Sequence, residues 1–126
     1  MEDIQKFINE FSADALEANT KIAGVALITD SGTATYQTEN FDLKDQGSTI
    51  CQVSRGLDSF KLNDFKYSVT ESSPAGVIAE NCRGMGWIVI TVIKGGFLVV
   101  FAMPGADAKQ VLSFLNDYAS KCEGLL

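Results

Sequence analysis

The chain has 126 residues and a net charge of −6, and 46 % of its residues are hydrophobic. This composition excludes a wholly disordered chain, and its longest unbroken apolar run, Phe97–Met103, is far shorter than the ~20 residues that a bilayer-spanning helix needs. We expect one domain over residues 1–126, long enough to bury a core without disulfides or metal ions.

The charged residues and the absence of histidine narrow the possible functions. The ten basic residues are scattered, with no two adjacent, whereas nucleic-acid binders cluster them to neutralise phosphates. The chain has no histidine, which excludes Ser-His-Asp and Cys-His catalytic sites and every zinc site that uses imidazole. The sequence therefore predicts a binding protein that is not an enzyme, with no catalytic residues, no metal site and no cofactor.

Three cysteines, Cys51, Cys82 and Cys122, are spaced too widely for a CxxC motif. No charged-then-apolar signal peptide opens the chain. We therefore expect reduced thiols in a cytoplasmic protein, each with a buried, structural role.

The first half of the chain begins with an amphipathic helix predicted over residues 2–18, where apolar side chains recur at helical spacing. A hairpin follows, with strands over 24–28 and 33–38 joined by a turn in which Gly32 supplies positive φ. Residues 42–57 then favour two short helical pieces, because Gly47 would be costly inside one long helix. Gly56 is a plausible stop for the second piece.

The second half of the chain predicts four more strands and a closing amphipathic helix. Strands around residues 88–92 and 98–101 are apolar on both alternating faces, which is typical of a sheet covered on both sides. We expect an α/β/α three-layer fold around an antiparallel sheet of about six strands. The terminal helices would cover one face and the short helices the other. The predicted strands span 65–71, 76–79, 87–93 and 97–102, and the helix spans 107–122.

This order of elements resembles two small families, the profilins and the roadblock/longin group. The local sequence favours the profilins, and the Tyr36–Asn40 stretch is most similar to the archaeal (Asgard-type) members. The first hairpin, the later strands and the last helix resemble their profilin counterparts in the segments Gly24–Gly32, Lys66–Val69, Ala75–Ile78, Trp87–Val92, Gly96–Phe101 and Asn116–Ala119.

The resemblance implies a cytoplasmic, cytoskeletal protein that acts as a monomer. Its partner would be an actin or archaeal actin homologue, and it would regulate polymerisation by sequestering or delivering actin monomers. In profilins the actin face comprises the outer side of the later strands and the start and exposed side of the last helix. Carried over by position, the actin-binding residues would be Leu57, Lys66, Ser68, Thr70, Glu71, Asp107, Lys109, Ser113 and Asp117.

Two further profilin ligands have weaker support in this sequence. Proline-rich peptides dock on exposed aromatics of the terminal helices, but Phe7 and Phe11 lie on the predicted core stripe, so we expect them to be buried. Phosphoinositides need basic clusters, which the net charge of −6 disfavours. The alternative function is a dimeric roadblock/longin-type scaffold for a small GTPase, which would use one longer helix over residues 42–57.

Overall fold

The computed structural model describes residues 2–18, 20–37, 47–62, 65–73, 76–93 and 95–119. No helix in these ranges is long and apolar enough to span a membrane. The elements within them are, in chain order, α1 (Glu2–Glu17), β1 (Ile22–Thr29), β2 (Ala34–Gln37), α2 (Gly47–Ser54), β3 (Ser59–Leu62), β4 (Phe65–Ser73), β5 (Gly76–Asn81), β6 (Trp87–Ile93), β7 (Gly96–Ala102) and α3 (Ala108–Ala119).

The described strands form one antiparallel sheet in the order β2-β1-β7-β6-β5-β4-β3. It has seven strands rather than the predicted six, because the edge strand β3 pairs with β4 in a hairpin. The sequence does not predict β3, because four residues are too few for a periodicity argument. Only pairing with β4 and burial of Phe60 and Leu62 establish it as a strand.

Two hydrophobic cores lie on opposite faces of the sheet. The first joins α1 and α3 to the sheet and includes the fully buried Phe11 and Leu115. The second joins α2 to the other face and includes the fully buried Ile50. On β6, Val89 faces the first core and Ile90 the second. The predicted three-layer arrangement, with the terminal helices on one face, is therefore confirmed.

Gly47 is the first described residue of helix α2. The β1–β2 turn, with Gly32 at φ +93°, packs directly against this residue. A Cβ atom on Gly47 would lie 1.8 Å from the carbonyl oxygen of Gly32, so only glycine permits the approach. Gly56 follows α2 with φ +110° and is confirmed as its stop. The predicted helical piece before Gly47 lies outside the described residues.

Helix α3 covers only part of the sheet. It packs over β5, β6 and β7, and β4 extends beyond it towards the edge. On β4, Tyr67 is buried in the core on the α2 side, whereas its neighbours Lys66 and Ser68 are exposed on the opposite side. An uncovered strip of sheet therefore lies beside α3.

Candidate functional site

The strip on β4 is shaped by a β-bulge. Val69 pairs with Ala79 and Glu71 pairs with Ile78, so Thr70 is an extra residue in β4. The Thr70 hydroxyl donates a hydrogen bond to the carbonyl oxygen of Ile78 at 3.2 Å. Because directly paired residues share a face, the bulge places Glu71 on the same side as Ile78, the side covered by α3.

The start of α3 is held by an N-cap. The Asp107 carboxylate oxygen Oδ1 accepts hydrogen bonds from the backbone N–H groups of Lys109 (3.1 Å) and Gln110 (3.2 Å). These donors have no partner within the helix, so the cap satisfies them and fixes the direction in which α3 leaves the sheet. The exposed Lys109 side chain is thereby held on the first turn of α3.

The bulge and the first turn of α3 meet in a groove of about 440 Å³, here called the α3 groove. Four of the nine predicted site residues line it: two from β4 and two from the start of α3. The half-buried Trp87 also lines it, although the sequence predicts only that this residue lies in a strand. Trp87 is the single tryptophan of the chain, and tryptophan is enriched at binding hot spots. The sequence alone could therefore have indicated it as a candidate binding residue. The lining residues are Thr70, Glu71, Ile78, Trp87, Ala106, Asp107, Ala108 and Lys109.

The other five predicted residues are distributed around this groove. Lys66 lines a second groove of about 350 Å³ near the β3 edge, and Ser68 lies between the two, with its hydroxyl 3.6 Å from the sulfur of Cys82. Ser113 and Asp117 are exposed further along α3, outside both grooves. Leu57, 38 % exposed, lies in the connection between α2 and β3 and also lines neither groove.

Two buried polar residues, Tyr67 and Asn81, lie beneath the strip. Tyr67 is buried, and this burial raises the pKa of its phenol, an effect partly offset by a hydrogen bond with the Asn81 side chain. Asn81, also buried, fixes the loop after β5, since its side-chain oxygen accepts the backbone N–H of Arg83 at 2.8 Å. These hydrogen bonds therefore hold in place the residues beneath the second groove.

The cysteines do not all take the expected buried position. Cys51 is buried on α2, with its sulfur 3.5 Å from the carbonyl oxygen of Asp30, so it helps to hold the β1–β2 turn. Cys82 is exposed, and the prediction of burial is wrong for it, because it lies in the turn that follows β5 rather than inside a strand. Cys122 lies outside the described residues.

The aromatic side chains of the terminal helices face the core. Phe7, Phe11 and Tyr118 are buried and pack against one another edge-to-face or tilted, with ring centroids 5.1 to 5.9 Å apart. Burial of Phe7 and Phe11 confirms the prediction. These three rings are therefore not available as an exposed platform for proline-rich peptides.

The comparisons with known proteins agree with this architecture. No family model matches. Loki profilin-1 of Lokiarchaeum sp. (strain GC14_75) is 26 % identical over 124 residues, covering 90 % of this chain and 92 % of that protein. Thor profilin of Thorarchaeota archaeon (strain AB_25) is 30 % identical over 73 residues, covering 57 % of each. The structure of a LokiProfilin2/rabbit actin complex matches with a TM-score of 0.87 and 23 % identity, covering 100 % of this chain and 99 % of the other. The chain is therefore similar to Asgard profilins over most of its length, and it has the profilin fold.

Proposed function

We propose that this protein is an Asgard-type profilin, which binds actin monomers and regulates polymerisation by sequestering or delivering them. The observation that supports this most directly is the α3 groove, which brings Thr70, Glu71, Asp107 and Lys109 together from distant parts of the chain. The proposal draws further support from the matched fold of LokiProfilin2, which was solved in complex with rabbit actin. The partner would be an actin monomer of the same organism.

The proposed interface is a docking surface rather than a reactive cleft. Around the α3 groove, the exposed side chains of Ser68, Ser113 and Asp117 extend the surface along β4 and α3, and Lys66 and Leu57 complete the set. A stable complex of ordinary size buries about 800 Å² on each partner. Trp87 would supply an anchor within that area, because a half-buried tryptophan gains further apolar contact when a partner covers it.

We further propose that the protein works as a single domain without enzymatic activity, in the cytoplasm with the actin cytoskeleton. A binding role agrees with the absence of histidine from the sequence. The alternative, a roadblock/longin-type scaffold, has less support, because the matched relatives and structures are profilins.

An actin assembly assay tests the proposal. Pyrene-labelled actin of the cognate organism would be polymerised with increasing amounts of this protein. We expect slower nucleation and a longer lag as the protein approaches equimolar amounts. Unchanged assembly at a large molar excess, together with no detectable complex on gel filtration, would contradict the proposed function.

A further inference from the structure

The second groove contains an unfavourable pair of like charges. Lys61 on β3 and Lys66 on β4 are directly opposite each other in the β3–β4 hairpin. Both project to the uncovered side of the sheet, since Phe60 and Tyr67 beside them enter the core on the α2 side. Like charges at directly opposed strand positions are destabilising. The fold therefore maintains a positive site that stability alone disfavours.

A third cation joins this pair through the tertiary structure. Arg83, in the loop after β5, lines the same groove as Lys61 and Lys66. The loop is fixed by the Asn81 side chain and by a 2.9 Å hydrogen bond from the Cys82 N–H to the carbonyl oxygen of Lys66. The backbone that presents Arg83 is thus held against β4.

The three cations are not neutralised within the described part of the chain. None of them forms an ion pair there, and the described residues that line the groove include no acidic one. This occurs in a chain whose net charge is −6. The same lining includes Phe65, a large apolar side chain that is 49 % exposed. An exposed aromatic ring beside an arginine is a combination that is enriched at protein–protein interfaces.

We infer that this groove, lined by Lys61, Lys66 and Arg83, receives acidic side chains of the actin-type partner. The inference rests on the proposed function, and it extends the docking surface to Lys61, Phe65 and Arg83. Lys66 and Glu71 are five residues apart on β4, which corresponds to roughly 16 Å along a strand.

The docking surface is therefore electrostatically polar, with different charges at its two ends. Its basic end holds Lys61, Lys66 and Arg83. At its other end, the charged residues among the described lining are Glu71, Asp107 and the one cation Lys109. A partner of complementary polarity is steered into one orientation, while the reversed orientation brings like charges together.

A protein surface fits the groove better than an anionic membrane does. Lipid-binding segments present about four to eight clustered basic residues, and the acidic remainder of this chain repels an anionic surface. Continuity with the proposed interface through Lys66 also favours the same partner.

The test uses single charge reversals in the full chain. Lys61→Glu and Arg83→Glu are compared with Lys6→Glu, a matched control on the exposed side of α1. Affinity for cognate actin monomers is measured at low ionic strength and at about 0.5 M salt, where exposed charges are strongly screened. We expect each groove variant to bind about tenfold more weakly at low salt, mainly through slower association, with a smaller loss at high salt. The control should change less than twofold.

The outcomes separate the inference from the proposed function. Wild-type affinity in both groove variants, with actin still bound by the wild type, overturns the inference and leaves the proposed function standing. Failure of the wild type to bind actin overturns both. Vesicles of phosphatidylcholine and phosphatidylserine form a second arm. If wild-type protein binds them, and both groove variants lose that binding while keeping full actin affinity, the groove is a lipid site and the inference is wrong.

Discussion

The Tyr118 hydroxyl on α3 donates a hydrogen bond to the carboxylate of Asp14 on α1, joining the two terminal helices. The Tyr118 ring also packs edge-to-face against Phe7 and Phe11, with centroids 5.8 and 5.1 Å away. Residues 104 positions apart in the chain thus hold α1 and α3 together as one layer. Because the first turn of α3 lines the α3 groove, this contact stabilises the helix that presents Asp107 and Lys109.

Tyr118→Phe removes the hydroxyl and keeps the ring. We expect the free energy of unfolding to fall by about 1 kcal/mol, the ordinary contribution of one hydrogen bond. Urea denaturation followed by circular dichroism would measure it. The same substitution in an Asp14→Ala background should cost clearly less. Equal costs in the two backgrounds would show that the Asp14 contact contributes nothing.

Gly47→Ala should destabilise the protein even though alanine is normally the better helix former. The added Cβ would overlap the carbonyl oxygen of Gly32, so the β1–β2 turn must move away from α2. We expect a loss of about 2–3 kcal/mol by thermal or urea unfolding.

Gly56→Ala is the matched control for that substitution. Gly56 has positive φ, and no atom of the described residues lies near its missing Cβ, so backbone strain of about 1 kcal/mol is the expected cost. The interpretation of the Gly32–Gly47 contact fails if Gly47→Ala is as stable as the wild type.

Burial of Tyr67 makes stability depend on pH in the alkaline range. Because burial raises the pKa of Tyr67 above its ordinary value of 10.0, the folded chain binds the phenolic proton more tightly than the unfolded chain. This contribution to stability is complete below the unfolded pKa and is lost as pH rises through the folded pKa. Between about pH 9 and pH 11, Tyr67→Phe should lose stability less steeply than the wild type. Parallel unfolding curves across that range would contradict the prediction.

Charge reversals in the α3 groove should weaken actin binding. Glu71→Arg and Lys109→Glu alter exposed or half-buried charges at the proposed interface, so we expect a several-fold to tenfold loss of affinity, larger at low salt. Kinetic binding measurements with cognate actin should place most of the change in the association rate. Glu17→Arg, on the exposed side of α1, serves as control and should bind like the wild type. An unchanged association rate in both groove variants would show that Glu71 and Lys109 are not part of the interface.

We expect the protein to be a monomer in solution. One edge of the described sheet is the four-residue strand β3, which presents the charge of Lys61 towards its paired Lys66. Charged residues on short edge strands oppose edge-to-edge pairing of sheets. Light scattering after gel filtration should give the mass of one chain, 13.6 kDa. A stable dimer would favour the roadblock/longin-type alternative.

Much of the fold follows from local patterns in the sequence. The apolar spacing in α1 and α3 and the turn at Gly32 depend on residues that are close in the chain, so they can be recognised without the structure. The three-layer arrangement can be recognised in the same way. Strands β6 and β7 are apolar on both faces, so other elements must pack against both faces of the sheet. Local patterns likewise placed Glu71 on a late strand and Asp107 at the start of the last helix.

Only the tertiary structure decided how these pieces form a site. The pairing of Lys61 with Lys66 and the position of Arg83 beside them depend on which strands are neighbours in the sheet. The exposure of the β4 side chains depends on where α3 stops covering the sheet. The entry of Trp87 into the α3 groove likewise depends on the packing of α3. Periodicity shows which face of a strand is apolar, but the extent of a covering helix is set by packing between distant segments. Residues with the same local pattern can therefore end in the core or on a binding surface.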